Sequence, residues 1–117
     1  MSGDDREVER ARRIGLNEAV FREINERLNE LAEKFSSPVE PIELVCECGN
    51  VHCDERLRVD GADYEALRSD SRLFAVVPGH EIEDVEDVVE HRDGYVVVRK
   101  HEGEPSRVAR VTDPRND

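Results

Sequence analysis

From residue 4 to residue 35 the chain runs without proline, and Gly15 is the single weak helix former in a stretch rich in Glu, Arg, Leu and Ala. The pattern predicts one long helix. Apolar residues recur at Ile14, Phe21, Ile24, Leu28, Leu31 and Phe35, and with Asn17 they fill every position of a heptad repeat over three heptads. A stripe this narrow pairs with a second copy, as in a coiled-coil homodimer, or lies along the rest of its own chain. Asn17 leans the reading toward self-association, since a polar residue in an apolar seam sets register.

Ser36-Ser37-Pro38 ends the helix, because proline lacks an amide donor and biases its predecessor away from helical angles. Residues 36–41 then read as a linker and residues 42–104 as a compact domain. Strands are expected over residues 42–46, 57–59 and 73–77, with a short helix over residues 62–68 that Asp60 would cap. Tyr64 and Leu67 would face inward. Residues 85–90 and 95–100 flank Arg92-Asp93-Gly94, the Asp-Gly turn of a β-hairpin. From about residue 105 the chain looks like a flexible tail. The fold class is α+β: a long N-terminal helix, then a small β-rich domain with a short helix and a C-terminal hairpin.

Composition narrows the function. Of 117 residues, 37% are hydrophobic and 39% charged, with no Trp, which leaves little material for a deep substrate cleft. The net charge of −12 argues against direct nucleic-acid binding, which needs clustered Lys and Arg. No stretch is apolar enough for a membrane span and no signal peptide is visible, so a cytoplasmic protein is expected. Residues 81–90 hold six acids and no base. They read as a solvated face or, alternatively, as a surface for a basic partner or a divalent cation.

One chemical signal stands out. The three cysteines fall within Cys46-Glu-Cys48-Gly-Asn-Val-His-Cys53, too close together and too odd in number for a disulfide framework. Crowded thiolates repel one another, and a divalent cation neutralises them; Gly49-Asn50 allows the segment to fold back. Zinc wants a fourth ligand. His80, after a strand and the Pro78-Gly79 turn, is better aimed than His52, which adjoins Cys53, or than His91 and His101 at the hairpin ends. A carboxylate such as Asp54 or a water remains open. Reduced cysteines could instead be buried small hydrophobes. A redox role is disfavoured because residues 35–55 contain five acids and no Lys or Arg, a field that raises thiol pKa values. For a domain of about 75 residues a metal staple is a common supplement to the core.

The motifs at residues 17–27 (Asn-Glu-Ala-Val-Phe-Arg-Glu-Ile-Asn-Glu-Arg), the three cysteines, Tyr64-Glu65, residues 74–80 and residues 85–90 together resemble a group of small bacterial hypothetical proteins. The resemblance brings no activity. It implies that the Cys and Pro-Gly-His elements belong to one unit, with His80 as the partner of Cys46, Cys48 and Cys53.

The function expected from the sequence is a zinc-binding, non-enzymatic adaptor or regulator. It would work through the helix, on itself or on another protein, a basic surface being the complementary one. The alternatives are a zinc-dependent hydrolase with an open metal site, for which Glu47 or Glu81 would be the acid–base candidates, and a thiol-based redox sensor.

Overall fold

The computed structural model describes residues 2–35 and 41–115. All of the expected linker except Pro41 lies outside them. Helix α1 (Ser2–Phe35) is followed by β1 (Ile42–Val45), β2 (Arg56–Val59), α2 (Gly61–Arg68), β3 (Leu73–Val76), β4 (Glu86–Arg92), β5 (Tyr95–Lys100) and α3 (Glu104–Val111). The α+β class is as the sequence reads. Strands β1 and β2 form an antiparallel ribbon, and β3, β5 and β4 form an antiparallel sheet in that order, with a bulge between Val88 and Glu90.

The main core lies between ribbon, sheet and helices. Leu44, Leu57, Val59, Tyr64, Leu67, Phe74, Val76 and Val98 are buried there, together with Cys46 and Cys48. Alternating residues of β2 point inward, as the period-2 pattern of a half-buried strand requires. Tyr64 and Leu67 do face inward on α2.

The expected loose tail is corrected. Residues 104–111 form α3, with Ser106, Val108 and Ala109 buried. A glycine before a helix and a proline in its first turn are compatible with a helix start. Val108 and Ala109 are the only buried apolar residues of α3, too few to give a periodic signal. Gly15 is what lets α3 approach α1: a Cβ there would lie 2.8 Å from Val108 Cγ1.

Helix α1 docks on its own domain through a polar face. Ala11, Ile14, Glu18, Arg22, Asn25 and Asn29 are buried at spacings of three and four residues, most of them polar. The heptad stripe expected from the sequence is divided by this arrangement. Ile14 is buried, Asn17, Phe21 and Leu28 are half-buried, and Ile24, Leu31 and Phe35 are exposed. Asn17 has a partner within the chain, donating from Nδ2 to the Gly49 carbonyl at 3.1 Å.

Charges on the docked face are matched rather than excluded. Lys100 Nζ, fully buried, donates to Glu18 Oε1 at 2.6 Å and Glu86 Oε1 at 2.8 Å, joining α1, β4 and β5. Arg22 donates to the carbonyls of Ser71 and Ala109 and to Thr112 Oγ1, and its guanidinium lies 4.7 Å from the Phe74 ring centre. It thus sits at the C-terminal, partially negative end of α3. Tyr64 donates its hydroxyl to Glu26 Oε1 at 2.7 Å, and Arg115 spans Glu26 and Glu65.

Candidate metal centre

The segment after β1 carries Cys46 and Cys48 into the core, and its backbone is fixed on both sides. Cys46 N donates to the Glu55 carbonyl at 3.0 Å, and Glu47 N donates to the Ala75 carbonyl at 2.9 Å. Residues 49–52 then turn back, with Asn50 Oδ1 accepting from His52 N and the Asn50 carbonyl accepting from Cys53 N. The Asx turn is the local reason the segment folds as the sequence implied. Beyond β3, His80 N donates to the Val77 carbonyl across the Pro78-Gly79 turn, and this aims the His80 ring at the cysteines.

One ligand atom from each of Cys46, Cys48, Cys53 and His80 lies within 4.8 Å of every other, so the four residues form a group able to hold a metal ion. His80 Nδ1 is 3.6 Å from both Cys46 Sγ and Cys53 Sγ. Cys46 and Cys48 are buried, while Cys53 and His80 are half-buried at the rim. Val77 N donates to Cys46 Sγ at 3.2 Å, a bond that favours the thiolate and orients the sulfur.

Without a cation the three thiols do not ionise alike. A hydrogen bond from Cys46 holds Cys48 down to about 5. The same bond, with burial, pushes Cys46 far up, and burial raises Cys53 as well. A bound dication would favour the deprotonated form of all three sulfurs.

The other histidines stand apart from this group. His52 and His91 are exposed, and His101 Nε2 lies 3.1 Å from Asp87 Oδ1. Asp54 is exposed as well. In the acidic run of residues 81–90, Glu86 is buried against Lys100 and Asp84 pairs with Arg10, whereas Glu83 and Glu90 are exposed. Most acids of the run thus form a solvated face, with one of them, Glu86, recruited to the core beside Val85.

Glu47, between the two buried cysteines, has a structural task. Its Oε1 accepts from Ala75 N at 3.0 Å, its Oε2 accepts from Asn25 Nδ2 at 2.7 Å, and Arg68 Nη2 reaches both oxygens at 2.6 Å. With its side chain fully buried and both oxygens engaged, it is not free to shuttle protons. The second acid–base candidate, Glu81, accepts from Gly79 N at 2.9 Å and so braces the turn that carries His80.

Sequence reasoning missed this supporting shell of Asn25, Glu47, Arg68 and Ala75. The signal available was the polar series Glu18, Arg22, Asn25 and Asn29 at helical spacing, which looks like a solvent face until its partners are known. Gly49 completes the seat: a Cβ there would fall 2.7 Å from Ile14 Cγ2, so only glycine lets α1 rest directly on the cysteine loop. Among the described residues, no helix is long and apolar enough to cross a membrane. Comparison with protein families, curated proteins and solved structures returns no match to this chain.

Proposed function

We propose that this chain is a zinc-binding, non-enzymatic adaptor or regulatory protein, in which a closed zinc centre holds the small domain together and the long helix serves as the docking element. The observation that carries the metal assignment is the pair of 3.6 Å separations from His80 Nδ1 to Cys46 Sγ and Cys53 Sγ. With zinc–sulfur bonds of about 2.3 Å and zinc–nitrogen bonds of about 2.0–2.1 Å, a tetrahedral shell has a sulfur-to-nitrogen edge of about 3.6 Å. Three thiolates and one imidazole also form a donor set suited to zinc, soft enough to disfavour Mg and Ca.

Four protein ligands favour a structural role over a hydrolytic one, because a catalytic zinc keeps one position for water. The engagement of Glu47 by Asn25, Arg68 and Ala75 supports the same reading. Docking through the helix is supported by its outward apolar residues, and the acidic surface of the domain would select among partners by charge.

Elemental analysis of protein prepared without chelator tests the assignment. About one zinc per chain is expected. Less than about 0.2 equivalents, with three titratable thiols and an unchanged fold, would overturn it.

A further inference from the structure

Ala11, Ile14 and Val85, with Ile82 packed against them, form a small apolar cluster apart from the main core. Its floor is built from both arms of the candidate metal centre. Gly49 lies between Cys48 and Cys53, and Ile82 lies two residues beyond His80. The side chains of Ile14 and Ile82 meet over Gly49, where a Cβ would fall 2.7 Å from Ile14 Cγ2 and 3.1 Å from Ile82 Cδ1. Asn17 adds the hydrogen bond from α1 to the Gly49 carbonyl, at 3.1 Å. Among the described residues, no backbone hydrogen bond joins residues 48–53 to residues 78–82. The arms meet at the cysteine sulfurs and the His80 ring, and at Gly49 against Ile82. A dication bonded to Cys48, Cys53 and His80 is therefore the strong link that could hold the two halves of the floor together.

We propose that occupancy of this centre by zinc controls the docking of residues 8–17 of α1, so that metal bound at the cysteines is read out at the N-terminal end of the long helix. The proposal gives the zinc centre a regulatory task and rests on the zinc-centre reading. With the ion in place, Gly49 and Ile82 are held side by side and Ile14 has a complete floor. Without it, the loop of residues 48–53 and the turn that carries His80 part, and Ile14 and Asn17 lose their seat together.

The remaining hold on this segment is thin. Arg10 pairs with Asp84 where both side chains are exposed, and Arg12 reaches Glu104 at 3.3 Å with its own side chain 43% exposed. Ion pairs in such settings add little. That leaves Val85 and Val108 as the apolar side chains that meet the segment from the domain. From Glu18 onward the helix has anchors that use no metal ligand: Glu18 on buried Lys100, Arg22 on the carbonyls of Ser71 and Ala109, and Asn25 on Val45. The main core around Phe74, Val76 and Val98 includes neither Gly49 nor Ile82. Release is thus a local opening of the cysteine loop and the N-terminal end of α1, within a fold that stays closed elsewhere. Linkage makes the effect mutual, since docking that is favoured by the ion must in turn favour the ion.

Hydrogen exchange read by mass spectrometry on the full, reduced chain, with zinc bound and after stripping with a chelator, tests the proposal; zinc content is measured on each sample. Peptides from residues 8–17 and 48–53 should exchange at least about ten-fold faster in the stripped protein and recover on addition of zinc chloride, while peptides from β3, β5 and α2 change less than about two-fold. Ile14→Ala and Asn17→Ala, which touch no metal ligand, should each weaken zinc binding several-fold in chelator competition, with exchange of β3 and β5 unchanged. Equal exchange of residues 8–17 with and without zinc, in a chain that binds one zinc, overturns the proposal and leaves the zinc-centre reading standing. Exchange that rises throughout β3, β5 and α2 on stripping does the same, because the ion would then staple the whole fold. Unaltered zinc affinity in both variants also overturns the coupling. A chain that binds no zinc removes the zinc-centre reading and the proposal with it.

Discussion

Asn25 on α1 and Glu47 between the two buried cysteines of the candidate metal centre are joined by a 2.7 Å hydrogen bond, from Asn25 Nδ2 to Glu47 Oε2. The same amide also donates to the Val45 carbonyl at 2.9 Å and accepts from Val45 N at 2.9 Å. One side chain thus fixes the strand end that enters the site and the residue between its two buried cysteines. The candidate metal centre and the seat of α1 share a segment, so disturbing one reaches the other.

Asn25→Ala touches no metal ligand but leaves buried groups on Val45 and Glu47 without their partner. It should weaken zinc affinity about 10–100-fold, the usual scale for losing a supporting contact around a metal site. Competition with a chromophoric chelator measures this. An unchanged affinity in a folded variant would mean that the cysteine loop holds its shape without α1.

Among the histidines, His80→Ala should be the damaging substitution. Exchange of one protein ligand for water should cost a few kcal/mol of binding free energy that is linked to folding, with a matching fall in thermal stability. His52→Ala, His91→Ala and His101→Ala should keep their zinc, since those rings lie on the surface or against Asp87. Equal zinc retention in all four variants would remove His80 from the site.

Glu18 gives stability a pH dependence of a particular sign. Burial, and the like charge of Glu86, hold its carboxyl well above the usual range, with Lys100 opposing. The unfolded chain loses this proton near pH 4.3, while the folded chain keeps it to higher pH. The folded state therefore binds more protons between the two values, and this contribution to stability is complete below the unfolded value and declines as pH rises through the native one. Glu18→Gln retains an acceptor for Lys100 and cannot titrate. Urea unfolding from pH 5 to pH 8 should show a flatter profile for the variant, and parallel profiles would refute the assignment.

Gly49→Ala should destabilise by about 1–3 kcal/mol, the range for forcing an atom into a packed contact, because its Cβ would lie 2.7 Å from Ile14 Cγ2 and 3.1 Å from Ile82 Cδ1. In an Ile14→Ala background the cost should be visibly smaller, since the obstructing methyl group is gone. The double-mutant cycle measured by denaturant unfolding would show this as a coupling between the sites. Additive effects would place the strain elsewhere.

Local pattern was enough for the elements themselves. Proline-free composition set the extent of α1, apolar runs set β1 and β3, and the Asp93-Gly94 turn set the β4–β5 hairpin, because each is dictated by residues near in sequence. The candidate metal centre was equally legible. Cys46, Cys48 and Cys53 lie within eight residues, and the tight turn before His80 left it as the best-aimed histidine, so little long-range information was needed.

What packs on what was decided only by tertiary structure. The apolar stripe of α1 pointed to the wrong guide for docking, since the helix buries Glu18, Arg22, Asn25 and Asn29 and turns Leu16, Val20, Ile24 and Leu31 outward. A charged or amide side chain can be buried when its partners are in place, and here those partners are Lys100, Glu47 and the carbonyls of Ser71, Ala109 and Val45. They lie between 20 and 87 positions away in the chain. Sequence periodicity reports hydrophobicity along one element. It carries no record of a hydrogen-bond partner contributed by another, which is why the polar seat of the helix, and the helix α3 that closes over it, emerged only from the fold.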